Sequence, residues 1–209
     1  MGFLDTQIIL QVRAGSNRLP GKAFLYYKGY PLFIALAKKI QTRFAQVLVA
    51  TSTQKNDDLT ASFCEQFDIP YYRGDEANVY KRYVDTLKRF PCDHFIRLTG
   101  DNPLVDLNDL AYGLDFFKQK KSKVASSRMW NKKDEMIRTL PKGKSIDIFD
   151  TTHFMNSYKN VVSKEDQEHI LPFFKEEIAL IDYKSAELNR NYSVDTLEDY
   201  QNLIQNNCN

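Results

Sequence analysis

Four short apolar runs separated by helix-like segments constrain this chain more than any other feature. They are Ile8-Ile9-Leu10-Gln11-Val12, Val47-Leu48-Val49-Ala50, Ile69-Pro70-Tyr71-Tyr72 and His94-Phe95-Ile96-Arg97-Leu98. Each is short and near-continuously apolar rather than alternating, so each reads as a strand buried on both faces. Between them, Pro31 opens the periodic set Leu32, Ile34, Ala35, Leu36 and Ile40, as proline does in a first helical turn. Asn56-Asp57-Asp58 offers capping side chains to a helix through Phe67, and Asn78 to Phe90 is helical by pattern. This alternation predicts an α/β fold with a mostly parallel central sheet covered by helices on both faces.

The second half is less regular. Leu107 to Phe117 reads as a helix, Lys123 to Ser127 as a strand, and Ser145 to Phe149 as an alternating strand. Two helices follow, over 151–158 and 164–177, then a strand at Tyr192 to Asp195 and a closing helix from Leu197. Residues 128–145 are polar, hold the only tryptophan and show no clear period. That stretch reads as an excursion, a β-arm or a dimer contact, and a homodimer is the expected assembly. No repeat or linker divides the 209 residues, so residues 1–209 are expected to form one domain.

Charge sharpens the picture. The total is +2, which excludes a polycationic nucleic-acid binder. Yet residues 1–50 carry seven Lys/Arg against one acid, Asp5, and half of the eight glycines fall in the first thirty positions. The basic residues gather near one loop rather than along a face, which argues against a nucleic-acid partner. The three cysteines, Cys64, Cys92 and Cys208, are far apart and unpaired in pattern, pointing to a reducing cytoplasm. No apolar run approaches the ~20 residues that span a bilayer. Met1-Gly2-Phe3-Leu4-Asp5-Thr6 fits a loose acylation pattern, but a pattern that short recurs by chance.

Parallel sheets bind ligands at the carboxyl ends of their strands. Three candidate sites fall there. The first is Arg13 to Lys22, after the first strand, where two glycines and three cations suit a polyanion such as a phosphate chain. It is not a Walker A loop: five residues separate Gly15 from Gly21, and Ala23 stands where a hydroxyl residue is needed. The second is Asp101, a Mg²⁺ ligand by position or a helix cap by residue type. The third is Asp195, for which capping is the better reading if it stands alone and a second metal carboxylate if Asp101 is its partner. Asp147 lies between Ile146 and Ile148 and is expected to face solvent. Arg73 suits a nucleotide contact or a turn, and Glu168-His169 sits on a helix whose first turn is acidic.

Arg13-x-Gly15-Ser16-x-Arg18-Leu19-Pro20-Gly21-Lys22 resembles the R-x-G-S-x-R-L-P-G-K signature of sugar-activating cytidylyltransferases. These include the acylneuraminate and CMP-Kdo synthetases and, most similar, the spore-coat-polysaccharide cytidylyltransferase-like proteins. Val49-Ala50-Thr51-Ser52, Tyr72-Arg73-Gly74, Arg97 to Leu104, Glu168 to Phe173 and Val194 to Asp199 follow in family order.

The resemblance implies a Rossmann-like nucleotide-diphospho-sugar transferase fold and transfer of CMP from CTP to the anomeric hydroxyl of an acidic or modified sugar. It implies nucleotide binding by Arg13, Gly15, Ser16, Arg18, Lys22, Arg73, Thr99 and Gly100, with Arg13, Lys22 and Asp101 catalytic. Asp101 and Asp195 would hold Mg²⁺, and Asp147, Glu168 and His169 would line the sugar site. Val12 replaces the family's usual alanine beside the base, which leaves GTP as an alternative nucleotide, and a non-catalytic nucleotide-sugar-binding protein is the alternative class.

Overall fold

A computed structural model describes residues 5–205, leaving Met1 to Leu4 of the acylation-like pattern and Cys208 outside the described residues. A seven-stranded sheet forms the centre. In chain order its strands are β1 (Thr6–Gln11), β4 (Val47–Ser52), β5 (Tyr71–Gly74), β6 (His94–Thr99), β7 (Val124–Ser126), β10 (Asp147–Asp150) and β11 (Ile178–Leu180). Their spatial order is β11-β7-β10-β6-β1-β4-β5. Strand β10 runs antiparallel to both neighbours, and the other pairings are parallel.

The expectation of strands buried on both faces holds for β1, β4 and β6 but not for β5, which is the edge strand and is half-buried over Tyr71 to Arg73. Ile8 and Leu10 of β1 enter one core with α1 (Leu32–Gln41), α2 (Asp58–Gln66) and α4 (Leu107–Lys120). Ile9 points the other way, into a second core with α3 (Val79–Arg89) and α5 (Thr151–Ser157). Side chains along a strand alternate between faces, so an unbroken apolar run supplies both cores at once.

Several boundaries differ from expectation for physical reasons. The third strand begins at Tyr71 rather than Ile69, because Pro70 has no N–H and enters the ladder only through its carbonyl, which accepts from Val49 N at 2.9 Å. The helix expected over 164–177 stops as α6 (Lys164–His169). Ile170 adopts φ 61°, ψ −64°, a region costly for a β-branched residue, and a 3₁₀ turn, Leu171–Phe174, carrying Pro172 follows. The strand expected at Tyr192 to Asp195 does not form a ladder; only a bridge between Lys142 and Asn191 lies there.

The aperiodic stretch 128–145 contains a hairpin of β8 (Arg128–Trp130) and β9 (Met136–Arg138). A smaller hairpin, β2 (Tyr26–Tyr27) with β3 (Tyr30–Pro31), precedes α1, and α7 (Leu197–Gln205) closes the described chain. No helix among the described residues is long and apolar enough to cross a membrane.

Candidate functional site

The ends of β1 and β6 open onto a cavity of about 360 Å³ at the carboxyl edge of the sheet. Its wall is the loop after β1. That loop is held by main-chain geometry: Gly21 takes the left-handed conformation (φ 71°) and donates its N–H to the Ala14 carbonyl at 3.1 Å. A buried carboxylate fixes its start. Asp57 accepts from Ala14 N at 2.6 Å and from the Ser52 hydroxyl, tying the loop to the end of β4. Expected as a helix cap, Asp57 makes no cap hydrogen bond and serves as an anchor for the loop instead.

Closing the loop aims Lys22 inward. Its ammonium lies 2.5 Å from Asp101 Oδ2, 2.9 Å from Asp195 Oδ1 and 2.9 Å from the Val194 carbonyl. Asp195 also accepts from Arg18 and Lys142, each at 2.9 Å, and from Ser193 Oγ at 3.0 Å. Burial pushes the Asp195 carboxyl up, but Lys142, Lys22 and Ser193 outweigh it and hold it well below the usual carboxylate range. Burial likewise works against the Lys22 charge, and the two carboxylates reverse that and raise its pKa.

Neither acid is a helix cap. Helix α4 is capped by Asp106, which accepts from Asn108 N at 2.6 Å. At the start of α7, Asp199 Oδ2 accepts from Thr196 N at 2.8 Å and Asp195 N at 3.0 Å, while Thr196 Oγ1 accepts from Asp199 N. This is a capping box centred on Thr196. Asp101 and Asp195 are thereby left to the cavity. No group of three or more potential ligand side chains converges among the described residues. The donor set is two carboxylates sharing one cation, which fits Mg²⁺, an ion that takes one or two protein carboxylates and fills its shell with water and substrate phosphate.

Arg13, Gly15, Ser16, Arg18, Lys22, Thr99, Asp101 and Asp195 all line this cavity. Other anticipated residues stand elsewhere. Arg73 braces the loop after β4, donating to the carbonyls of Ser52 and Gln54 at 2.9 Å and pairing with Asp58 at 2.7 Å. Gly100 is explained by packing: a Cβ there would lie 2.6 Å from Val12 Cγ2 and 2.8 Å from Phe33 Cβ. Glu168 stands 3.8 Å from Arg13 at the cavity's side, and neither it nor His169 lines the cavity wall.

Asp147 belongs to a second cavity of about 260 Å³, which shares Arg18, Thr99, Asp101 and Asp195 with the first. Expected to face solvent, Asp147 is 2% exposed. The antiparallel register explains why: Asp147 sits directly between Arg97 of β6 and Ser126 of β7. It accepts from Ser126 Oγ at 2.7 Å, Arg97 Nη1 at 3.0 Å and Arg128 Nη2 at 2.9 Å. Burial raises its pKa, but Arg128 and Arg97 overcome that and keep it low.

Sequence reasoning did not single out Arg97, Arg128, Arg138 or Lys142. Arg97 carried a signal, since a charge inside an otherwise apolar strand demands a partner. The other three lie in or beside the aperiodic stretch, where no spacing marks them.

A sequence model of one protein family, described as cytidylyltransferase, matches residues 7–206. The spore coat polysaccharide biosynthesis protein SpsF of Bacillus subtilis is 35% identical over 108 residues, covering 49% of this chain and 45% of SpsF. The chain spans less than two thirds of the length of the first relatives it matches in sequence. A cytidylyltransferase structure from Leptospira borgpetersenii superposes with a TM-score of 0.85 at 25% identity, over 97% of this chain and 87% of that one. The structure of a CMP:2-keto-3-deoxy-manno-octonic acid synthetase complexed with CTP shares the fold, with a TM-score of 0.70 at 18% identity over 96% of this chain and 98% of that one.

Proposed function

The chain belongs to the cytidylyltransferase family, and from that premise we propose that it activates a sugar acid: the acceptor's anomeric hydroxyl attacks the α-phosphorus of CTP, giving a CMP-sugar and pyrophosphate. The observation that carries this reading is the convergence of Arg13, Arg18, Lys22, Asp101 and Asp195 on one cavity. In the reaction the new bond joins the acceptor oxygen to the α-phosphorus and the bond to the β-phosphate bridge breaks. The hydroxyl proton leaves to solvent and the pyrophosphate carries the displaced charge. Such a transfer needs positioning and charge neutralisation more than covalent help from the protein.

Arg13 and Arg18 are exposed at the cavity mouth, placed to meet the phosphate chain. Lys22 is different. An ammonium has three N–H donors, and Asp101, Asp195 and the Val194 carbonyl take all three. Contact with a phosphate therefore requires Lys22 to surrender at least one of them. Asp101 and Asp195 are the residues that would hold Mg²⁺, which when bound supplies charge neutralisation on phosphate oxygens. Lys22 and the ion would then draw on the same two carboxylates, and nucleotide entry would be the event that frees the lysine.

The protein is proposed to act as a homodimer in the cytoplasm, and the β8–β9 hairpin, which exposes Met136 and Ile137, supports the dimer. Light scattering of the full chain tests it: a monomer at micromolar concentration removes that part of the reading.

Thermal melts with each of the four nucleoside triphosphates and Mg²⁺ test the nucleotide. A ligand at a hundred times its Kd adds about 2.7 kcal/mol of stability, and CTP is expected to give the largest shift. Preference for GTP would replace the base. Pyrophosphate release with CTP and sugar acids tests the reaction, and D101N is expected to lower it about 10²–10³-fold with the fold intact. An active D101N variant would remove Asp101 from the mechanism.

A further inference from the structure

The last residue of β1 carries a polar side chain that the charges of the two cavities leave unexplained. Gln11 lines the first cavity together with Thr99, its partner in register on β6. Its side-chain carbonyl accepts two hydrogen bonds from one buried guanidinium, from Arg97 Nη2 at 2.9 Å and from Arg97 Nε at 3.2 Å. The remaining arm of that guanidinium, Nη1, donates to Asp147 Oδ2 at 3.0 Å. A chain of hydrogen bonds thus crosses three neighbouring strands, from β10 through β6 to β1.

This chain decides which way the Gln11 amide points. A carboxamide has one accepting end and one donating end, and a guanidinium can only donate. The oxygen must face Arg97, so the amino group faces away from it. Among the described residues Nε2 has no hydrogen-bond partner, and it is not sealed under protein either. Gln11 therefore presents two N–H donors to the cavity it lines, and Arg97 and Asp147 hold them there before any ligand arrives. Position says what those donors meet. The group being transferred bonds to the nucleotide on one side and to the acceptor on the other, so it sits where the two cavities join. Thr99, Asp101 and Asp195 line both cavities, and Gln11 stands directly beside Thr99 on the next strand.

We propose that Gln11 is a further catalytic residue, whose amino group donates to a non-bridging oxygen of the α-phosphate during transfer. The proposal rests on the cytidylyl-transfer reading and deepens it. As the acceptor oxygen bonds to the α-phosphorus and the bond to the bridging oxygen breaks, the charge of the transition state spreads over the equatorial oxygens. A donor already aimed at one of them needs no reorganisation while that charge moves. Gln11 keeps both of its protons throughout. The cations of the loop after β1 meet the departing end of the phosphate chain, whereas Gln11 is a neutral donor fixed to the sheet.

The test uses the full chain and its Q11E and Q11M variants, with pyrophosphate release from CTP and a 2-keto sugar acid as the readout. In Q11E the carboxylate still accepts from Arg97, but the donors are gone. That variant should melt at or above the wild-type temperature and lose about 10²–10³-fold in kcat, as removal of one such donor does. A residue that merely held Arg97 in place would leave Q11E both stable and active. Q11M keeps the volume and loses acceptor and donors alike, so its kcat should fall by a similar factor. The two diastereomers of CTP carrying sulfur on the α-phosphate separate a lost hydrogen bond from the added charge of Q11E. Sulfur is a weak acceptor, so the ratio of kcat/KM between the diastereomers should differ about 10-fold or more between wild type and Q11M, the lower end for a hydrogen bond to a charged group.

Turnover of Q11E at the wild-type rate, or a diastereomer ratio unchanged in Q11M, would overturn the proposal while leaving the reaction standing. A wild type that releases no pyrophosphate from CTP with the sugar acid overturns the reading of the reaction instead, and this proposal falls with it.

Discussion

The two cavities stand side by side and share four residues, yet they hold their charges in opposite ways. In the first, the central cation is exchangeable: Lys22 sits on two carboxylates that line the cavity, and Arg13 and Arg18 are exposed at its mouth. In the second, the central anion is locked: Asp147 lies between two strands in full register and is enclosed by Ser126, Arg97 and Arg128. A substrate that brings many charges and leaves with some of them suits the first arrangement. A substrate that must be recognised and held in one pose suits the second. The difference is mechanical. Loop-borne charges reorganise at small cost, whereas charges locked into a sheet do not.

The largest effect should come from breaking the locked side. D147N leaves Arg97 and Arg128 facing a neutral amide in a buried place, and removing one partner of a buried pair costs about 3–5 kcal/mol. Chemical denaturation at neutral pH measures it; a loss under 1 kcal/mol would mean that the Asp147 cluster is not locked.

Next comes the exchangeable side. K22M should lower pyrophosphate release about 10²–10³-fold, as losing one transition-state contact does. Its effect on stability should be much smaller than that of D147N, since Asp195 retains Arg18 and Lys142. Equal stability losses in the two variants would erase the distinction between the cavities.

The pH dependence sharpens it further. The folded pKa of Asp147 lies below its unfolded value of about 3.9. A depressed carboxylate contributes stability that is present above the unfolded pKa and is lost as pH falls below it toward the folded value. The stability gap between wild type and D147N should therefore be constant above pH ~5 and narrow below pH ~4. A gap that persists unchanged to pH ~2.5, in unfolding midpoints followed downward from neutral pH, would show that Asp147 does not titrate as part of the ion cluster.

The same contrast explains how much of the molecule was legible in its sequence. Strands β1, β4 and β6 were readable because each is apolar on both faces, a local property of a few adjacent residues. The first cavity was readable because Arg13, Gly15, Ser16, Arg18 and Lys22 come from one continuous loop. What spacing left open was the duty of Asp101 and Asp195, because an acid before a helix has two common uses. The caps at Asp106 and Thr196 take the capping use away from both. The second cavity draws on β6, β8, β9, β10 and the segment between β9 and β10. Its residues meet only when the hairpin folds over the reversed strand β10, and neither periodicity nor spacing encodes that event. The solvent-facing expectation for Asp147 failed for the same reason: alternation says which residues share a face, and the register decides what they meet there.

The smallest effects separate two glycines that both read as nucleotide contacts. Gly100 carries a packing constraint. Its Cβ would press on Val12 and Phe33, one lining the cavity and the other at the heart of the core. G100A is therefore expected to cost about 1–3 kcal/mol, the range for overpacking, and to lower the melting temperature whether or not nucleotide is present. Gly15 is different. The nearest atoms to an added Cβ, on Asn56 and Glu76, are 3.9 Å away, and the residue has no positive φ that would strain alanine. G15A should leave the ligand-free melting temperature unchanged within about 0.5 kcal/mol equivalent, as a surface substitution does. Any loss it causes must then appear as a weaker CTP-dependent shift, because the only thing the new methyl group can obstruct is what enters the cavity. If G15A destabilised the free protein as much as G100A, the loop after β1 would be part of the packed frame rather than the adaptable wall that its exposed cations describe.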